Sequence, residues 1–308
     1  MRLFALALVY AIVFLTGCSS GDPGTDSSTR APSNTATPTP TGELTGTRAA
    51  TATPTPTPIP TPIPPTPSPT VSPTPIPIFH DPPYTVAIDA GHGGPYYSGA
   101  SFRDADGNLW IEKGLTLDTA LRLDVLLRQA SYNTVLIRDG DYTLTPFAWD
   151  DYRGSMINET QARVDMANAA QADILVSLHF NGSTDSSLGG TETYYNPDRS
   201  FGYQSYGLAF YAQQKMLLAI ADLGHDVRDR GLRNDAEVGG DPANDHSYLL
   251  GTNDYFRPSL MPGIIAEPLF LSNAADAAVI ARDDARQRIA EAYREAIEAY
   301  FAWLPPTR

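Results

Sequence analysis

Within this 308-residue chain, His92, Glu112 and His179 are the side chains best suited to hold a catalytic metal. Two imidazoles and a carboxylate suit Zn2+, which typically takes three protein ligands and keeps a fourth position for water where it is catalytic. The lone cysteine, Cys18, excludes a thiolate zinc site and an intramolecular disulfide, so a metal would need His, Asp or Glu. Separations of 20 and 67 residues fix no local geometry, unlike two histidines one helical turn apart. On spacing alone two readings stand. Either the three residues share a metal, or the histidines are hydrogen-bonded loop residues and Glu112 is a helix N-terminal carboxylate favoured by the dipole.

The elements that must position them read as alternating strands and helices. Val86-Ala87-Ile88 is a buried strand running into the turn-forming Asp89-Ala90-Gly91-His92-Gly93-Gly94. Within residues 115–127, Leu117, Ala120, Leu121 and Leu127 fall at helical spacing, with Arg122, Asp124 and Arg128 on the other side. Strands are expected at 135–137, 174–178, 191–195 and 263–266, and helices at 161–170, 206–223 and 284–303. This alternation predicts an α/β fold of three layers, a largely parallel twisted sheet with helices on both faces. In such sheets the ligand site lies beyond the C-terminal ends of the strands. His92, His179 and Glu267 each fall at or just past an expected strand end, and Glu112 would open the first helix close to the same edge.

The text around these residues is more specific than their spacing. Ile88-Asp89-Ala90-Gly91-His92-Gly93-Gly94, Glu112-Lys113-Gly114-Leu115-Thr116-Leu117-Asp118, Ser177-Leu178-His179-Phe180-Asn181 and Glu267-Pro268-Leu269-Phe270-Leu271-Ser272-Asn273 occur in that order. Together they resemble the zinc-dependent N-acetylmuramoyl-L-alanine amidases of bacterial cell-wall turnover. Arg138-Asp139, Arg163 with Ala167-Asn168, and Asp229-Arg230-Gly231 fit the same pattern, so the resemblance covers nearly all of 84–302.

The resemblance implies a metal on His92, Glu112 and His179 and a catalytic carboxylate on Glu267. A zinc-activated water would then hydrolyse the amide between N-acetylmuramic acid and L-alanine of peptidoglycan, with Glu267 taking the proton and passing it to the departing amine. Burial beside Ile264 and Ile265 would raise the proton affinity of Glu267, and the metal would oppose that rise. The plainer alternative for Glu267 is a salt-bridged strand-end carboxylate. Residue chemistry alone reaches only metal-assisted amide hydrolysis. A zinc peptidase acting on stem peptides and an inactive peptidoglycan-binding lipoprotein are the rival functions.

Neighbouring residues carry paired expectations. Asp89 either orients a ligand imidazole or caps the glycine-rich loop, and Asn181 either faces substrate or turns the chain. Arg138 and Arg163 read as structural ion-pair partners, His225 and His246 as loop residues, and His80 as a linker residue that binds nothing.

Composition supplies the rest of the organisation. Of 27 prolines, 18 lie between Pro23 and Pro83, too dense for a core. Residues 1–17 read as a signal peptide: Arg2, an apolar run of about 14 residues that is shorter than a membrane-spanning helix, and Leu15-Thr16-Gly17 ahead of Cys18. That ending resembles a lipoprotein signal, implying an acylated Cys18 and a protein held to a bacterial membrane outside the cytoplasm. An ordinary secretory signal is the alternative. Residues 18–83 read as a disordered Thr/Pro-rich linker in extended polyproline II, and 84–308 as the catalytic domain.

Acids and arginines balance over residues 1–80, so the net charge of −14 falls on the remainder, and no Lys/Arg cluster marks a nucleic-acid binder. Two stretches exceed the family pattern, 142–160 with Tyr142, Phe147, Trp149 and Tyr152, and 237–261 with His246, Tyr248, Tyr255 and Phe256. They would shape a groove for a glycan strand, form a lid that a regulatory protein partner moves, or merely embellish the surface.

Overall fold

Three apolar runs form the centre of a six-stranded sheet. A computed structural model describes residues 80–238, 246–252 and 256–305. The segment expected to be a signal peptide, Cys18, the expected linker up to residue 79 and part of 237–261, Tyr255 included, lie outside the described residues. Strands β1 (Thr85–Ala90), β5 (Ile174–Leu178) and β8 (Gly263–Glu267) are almost entirely buried, as largely apolar strands covered on both faces are. With β4 (Asn133–Leu136), β6 (Thr191–Tyr195) and β7 (Asp229–Asn234), they pair in the order β4-β1-β5-β8-β6-β7. The first four run parallel; β6 is antiparallel to β8 and parallel to β7. The expected α/β architecture is therefore present, with a reversal at β8/β6.

Side chains alternate between two cores, as period-2 geometry requires. On one face Val86, Ile88, Val176 and Leu178 meet α1 (Glu112–Gln129), α3 (Gly202–Asp222) and α5 (Asp283–Trp303). Helix α1 contributes Leu115, Leu123 and Leu127 at multiples of four; truncating the fully buried Leu123 to alanine would cost about 2–5 kcal/mol. On the other face Ala87, Leu175 and Ile265 pack against α2 (Tyr152–Ala169) and against Leu249, Phe256 and Met261. A short helix, α4 (Ala274–Ile280), follows β8, capped by the Asn273 side chain.

Two local expectations are corrected and one element is added. The stretch 142–160 is a loop only in its first half: from Tyr152 onward it is helical, because Asp151 accepts from the Gly154 amide and starts α2 nine residues before the periodicity suggests. His80 is not idle linker. Its backbone amide and Nδ1 both lie 2.9 Å from Oδ1 of Asp173, whose other oxygen accepts from the Thr85 amide at 2.7 Å. A buried carboxylate needs those partners, so the fold is tied down from residue 80. Finally, 101–111 forms a hairpin of β2 (Ser101–Arg103) and β3 (Leu109–Ile111) that the sequence reading leaves unassigned.

Candidate metal centre and hydrolytic site

The strand ends and the hairpin bring His92, Glu112 and His179 together. One residue past β1, the Gly91 amide donates to the Leu178 carbonyl at 2.9 Å, extending the ladder and placing the β1 and β5 ends side by side. His92 then takes a left-handed backbone (φ 64°), an uncommon conformation for a residue with a Cβ and one that concentrates at functional sites. Arg163 from α2 holds it there, donating to the His92 carbonyl at 2.6 Å. His179, one residue past β5, is fixed by its amide to the Ala266 carbonyl at 3.0 Å. Glu112 is delivered by the hairpin: its amide donates to the Ala100 carbonyl at 2.9 Å, and its Oε2 accepts from the Ala100 amide at 2.7 Å.

Oε1 of Glu112 lies 3.0 Å from His92 Nε2 and 3.1 Å from His179 Nδ1, and one donor atom from each of the three residues falls within 4.8 Å of the others. It is the one such trio of His, Cys, Asp or Glu side chains among the described residues. Burial alone would push the Glu112 carboxyl up, but the two imidazoles outweigh it and hold the group well below the usual carboxylate range. A cation between two nitrogens and a buried carboxylate would satisfy all three, so the donor set fits Zn2+. Space around it is tight. A Cβ on Gly91 would lie 2.4 Å from the His179 ring, and one on Gly99 (φ 71°) 2.4 Å from Glu112 Oε2.

Glu267 ends β8 beside β5. Its side chain is buried, and Oε2 has no hydrogen-bond partner among the described residues, so it is not the salt-bridged strand-end carboxylate of the plainer alternative. Burial, then the charges of Glu112 and Glu192, push its pKa well above the ordinary carboxylate value.

Glu192 on β6 is the residue the sequence reading missed. It stands directly across the antiparallel ladder from Glu267 and is 2% exposed. Unlike Glu267 it is fully partnered: Arg230 Nε donates at 2.7 Å, the Tyr194 hydroxyl at 2.8 Å, and the Asn181 side-chain amide as well. The available signal was a lone acid inside an otherwise uncharged strand, Thr191-Glu192-Thr193-Tyr194-Tyr195.

The remaining expectations sort by contact. Asp89 bonds Arg163 at 2.7 Å and the Ser177 hydroxyl at 2.6 Å, so its hydrogen bonds brace α2 against the sheet and go to neither a ligand imidazole nor the loop amides. Arg163 is the structural ion-pair partner expected, with Glu159 as a second carboxylate at 3.0 Å. Arg138 is not: fully buried, it donates to the carbonyls of Ala90, Gly91, Lys113 and Gly140, clamping the loop that carries His92. Burial first, then Arg163, lower its pKa to about 10. Asn181 turns the chain rather than reaching outward, since Oδ1 accepts from Gly182 and Nδ2 donates to Glu192. His225 pairs with Asp276, and His246 bridges Asp235 and Asp198.

Comparison with known proteins follows the same lines. Residues 86–299 match the family model described as N-acetylmuramoyl-L-alanine amidase. The chain is 31% identical over 219 residues to N-acetylmuramoyl-L-alanine amidase LytC of Bacillus subtilis (strain 168), covering 70% of this chain and 35% of that relative. This chain therefore spans about a third of the length of LytC. Among solved structures, the catalytic domain of the amidase CwlV from Bacillus (Paenibacillus) polymyxa var. colistinus superposes with a TM-score of 0.52 at 29% identity, covering 71% of this chain and 98% of that one. The amidase AmiC2 of Nostoc punctiforme gives 0.53 at 26%, covering 71% and 97%.

Proposed function

Because this chain belongs to the N-acetylmuramoyl-L-alanine amidase family, we propose that it hydrolyses the amide joining N-acetylmuramic acid to L-alanine in peptidoglycan, with Zn2+ as its cofactor. The observation that carries the proposal is the convergence of His92, Glu112 and His179 at the strand ends where Glu267 also ends its strand. Those three residues would hold the ion. When bound, zinc lowers the pKa of water and polarises an amide carbonyl.

The protein's own groups supply the rest. Glu267 takes the proton from the attacking water and gives it to the amine nitrogen as the C–N bond breaks, the sequence that yields a free stem peptide and the lactyl carboxylate. An unpartnered Oε2 leaves it a lone pair for this task, and burial with the neighbouring carboxylates brings its proton affinity toward the working range. Arg163 and Arg138 keep the His92 loop in place through its carbonyls, and the Ala100 amide keeps Glu112 turned inward.

The wider setting rests on the sequence. Residues 1–17 are a lipoprotein-type signal, Cys18 is acylated, and the Thr/Pro-rich tether through about residue 79 holds the domain outside the cytoplasm, off a bacterial membrane. Among the described residues no helix is long and apolar enough to cross a membrane. Digestion of purified peptidoglycan, with the fragments weighed, tests the activity. Free stem peptides released with zinc and not after chelation support it, glycan-linked shortened stems would mark a peptidase, and no release by the metal-loaded protein a binding module.

A further inference from the structure

Beside the His92 loop lies a group of aromatic rings that neither the donor trio nor Glu267 uses. Tyr96 and Tyr97 follow the Gly93–Gly94 turn, and the Gly93 amide donates to the Tyr97 carbonyl at 2.8 Å. Phe147 stacks on Tyr96 with ring centroids 4.3 Å apart and meets Trp149 edge-on at 4.8 Å and Tyr97 at 5.4 Å. Tyr152 closes the group, 5.8 Å from Phe147. Tyr97 is buried and Phe147 half-buried beneath the group, while Trp149 is 73% exposed, Tyr96 43% and Tyr152 37%. Exposed rings held together on a buried aromatic base are the kind of surface that binds a ligand or partner.

We propose that these rings form a subsite for the neutral, N-acetylated hexopyranose strand of the substrate, alongside the sugar whose amide is cleaved. The inference rests on the amidase reading and deepens it. A pyranose presents a face of C–H bonds with hydroxyls around its rim, so it lies flat on an aromatic ring while its hydroxyls remain free to donate to carboxylates. The platform offers both, since Asp150 neighbours Trp149 on the same exposed turn. Position agrees. Tyr96 is four residues past His92, so their Cα atoms are at most about 14 Å apart, a gap that a few linked pyranoses bridge. Charge agrees as well. The excess of acids falls on this domain, which repels anionic polymers and acidic proteins but not sugars whose lactyl groups are still held as neutral amides.

The test uses the full chain with zinc and two substrates, insoluble peptidoglycan and a single N-acetylmuramoyl-L-alanyl peptide. Both Trp149→Ala and Tyr96→Ala alter exposed rings and so leave the core intact. The expected result is a loss of about tenfold on insoluble peptidoglycan, less than about twofold on the single-sugar substrate, and recovery of most of the loss by Trp149→Phe. Equal losses on both substrates, or none on either, overturn the subsite while leaving the amidase reading standing. So does a faster Trp149→Ala enzyme on insoluble peptidoglycan, which would show that the chain's own Thr/Pro segment or a protein partner covers the rings. A parent chain that cleaves neither substrate removes the amidase reading and the subsite with it.

Discussion

Glu192 and Glu267 face each other directly across the β6/β8 ladder, two buried carboxylates of which one is fully partnered and the other is not. Like charges placed opposite each other destabilise a sheet, and the arrangement persists because Arg230, Tyr194 and Asn181 take up one of them. The cost falls on Glu267, whose proton affinity rises. A buried carboxylate with raised proton affinity is suited to an acid–base role.

Replacing Glu192 with Gln removes a charge that raises the Glu267 pKa. A general base must be ionised, so activity climbs with pH through that value. The acid limb of kcat/KM should therefore move to lower pH by about half to one unit, with a weaker base lowering the plateau by about two- to tenfold. A pH–rate profile checks this, and a variant with an unmoved limb would show that Glu192 is only a structural anchor.

For Glu267→Gln, peptidoglycan hydrolysis should fall by at least about a hundredfold while the fold becomes more resistant to unfolding at neutral pH. The unfolded side chain ionises near pH ~4.3, whereas the buried one keeps its proton to higher pH. Stability that the parent has below the unfolded value is thus lost as pH rises through the folded one. The advantage of the Gln variant should grow by about 1.4 kcal/mol per pH unit across that window and then level off. Urea unfolding of the metal-free proteins from pH 4 to 8 reads it, and a constant difference would contradict the raised pKa.

Arg163→Met tests the brace behind the His92 loop. It strands Asp89 and Glu159 and frees the His92 carbonyl, at a cost of about 3–5 kcal/mol in urea unfolding. Burial pushes the Asp89 carboxyl up, but Arg163 and the Ser177 hydroxyl outweigh it, so its folded value is depressed. That contribution is present above the unfolded value and lost as pH falls through the folded one. Without the guanidinium the acid transition should begin at higher pH than in the parent.

Gly99→Ala places a methyl where Glu112 Oε2 sits and demands a left-handed backbone of a residue with a Cβ. Zinc affinity measured against a competing chelator should drop by about tenfold or more, with the circular dichroism spectrum retained. Unchanged affinity would show that Glu112 is not needed to hold the ion.

Much of the scaffold was readable before any coordinates. Short apolar runs at 86–88, 174–176 and 263–266 read as strands covered on both faces and are so, and α1 is the helix expected, although its buried face is Leu115, Leu123 and Leu127 and Leu121 is exposed. Short-range signals failed where a single side chain decided a boundary, as Asp151 does for α2 and Asp173 for the segment at His80. The β2/β3 hairpin, three residues a side around an Asp104 turn, is too brief for periodicity to register.

The four motifs and their resemblance to the amidase family singled out His92, Glu112, His179 and Glu267 as candidates, and strand periods, which are local properties of the sequence, placed three of them at strand ends. Their meeting was settled by tertiary structure. Twenty and sixty-seven residues of intervening chain carry no distance information until parallel pairing of β1, β5 and β8 aligns their ends and the hairpin swings Glu112 toward them. The same holds for Glu192. Only the reversal of β6 against β8, a long-range pairing with no local signature, turns an inconspicuous strand acid into the neighbour of Glu267.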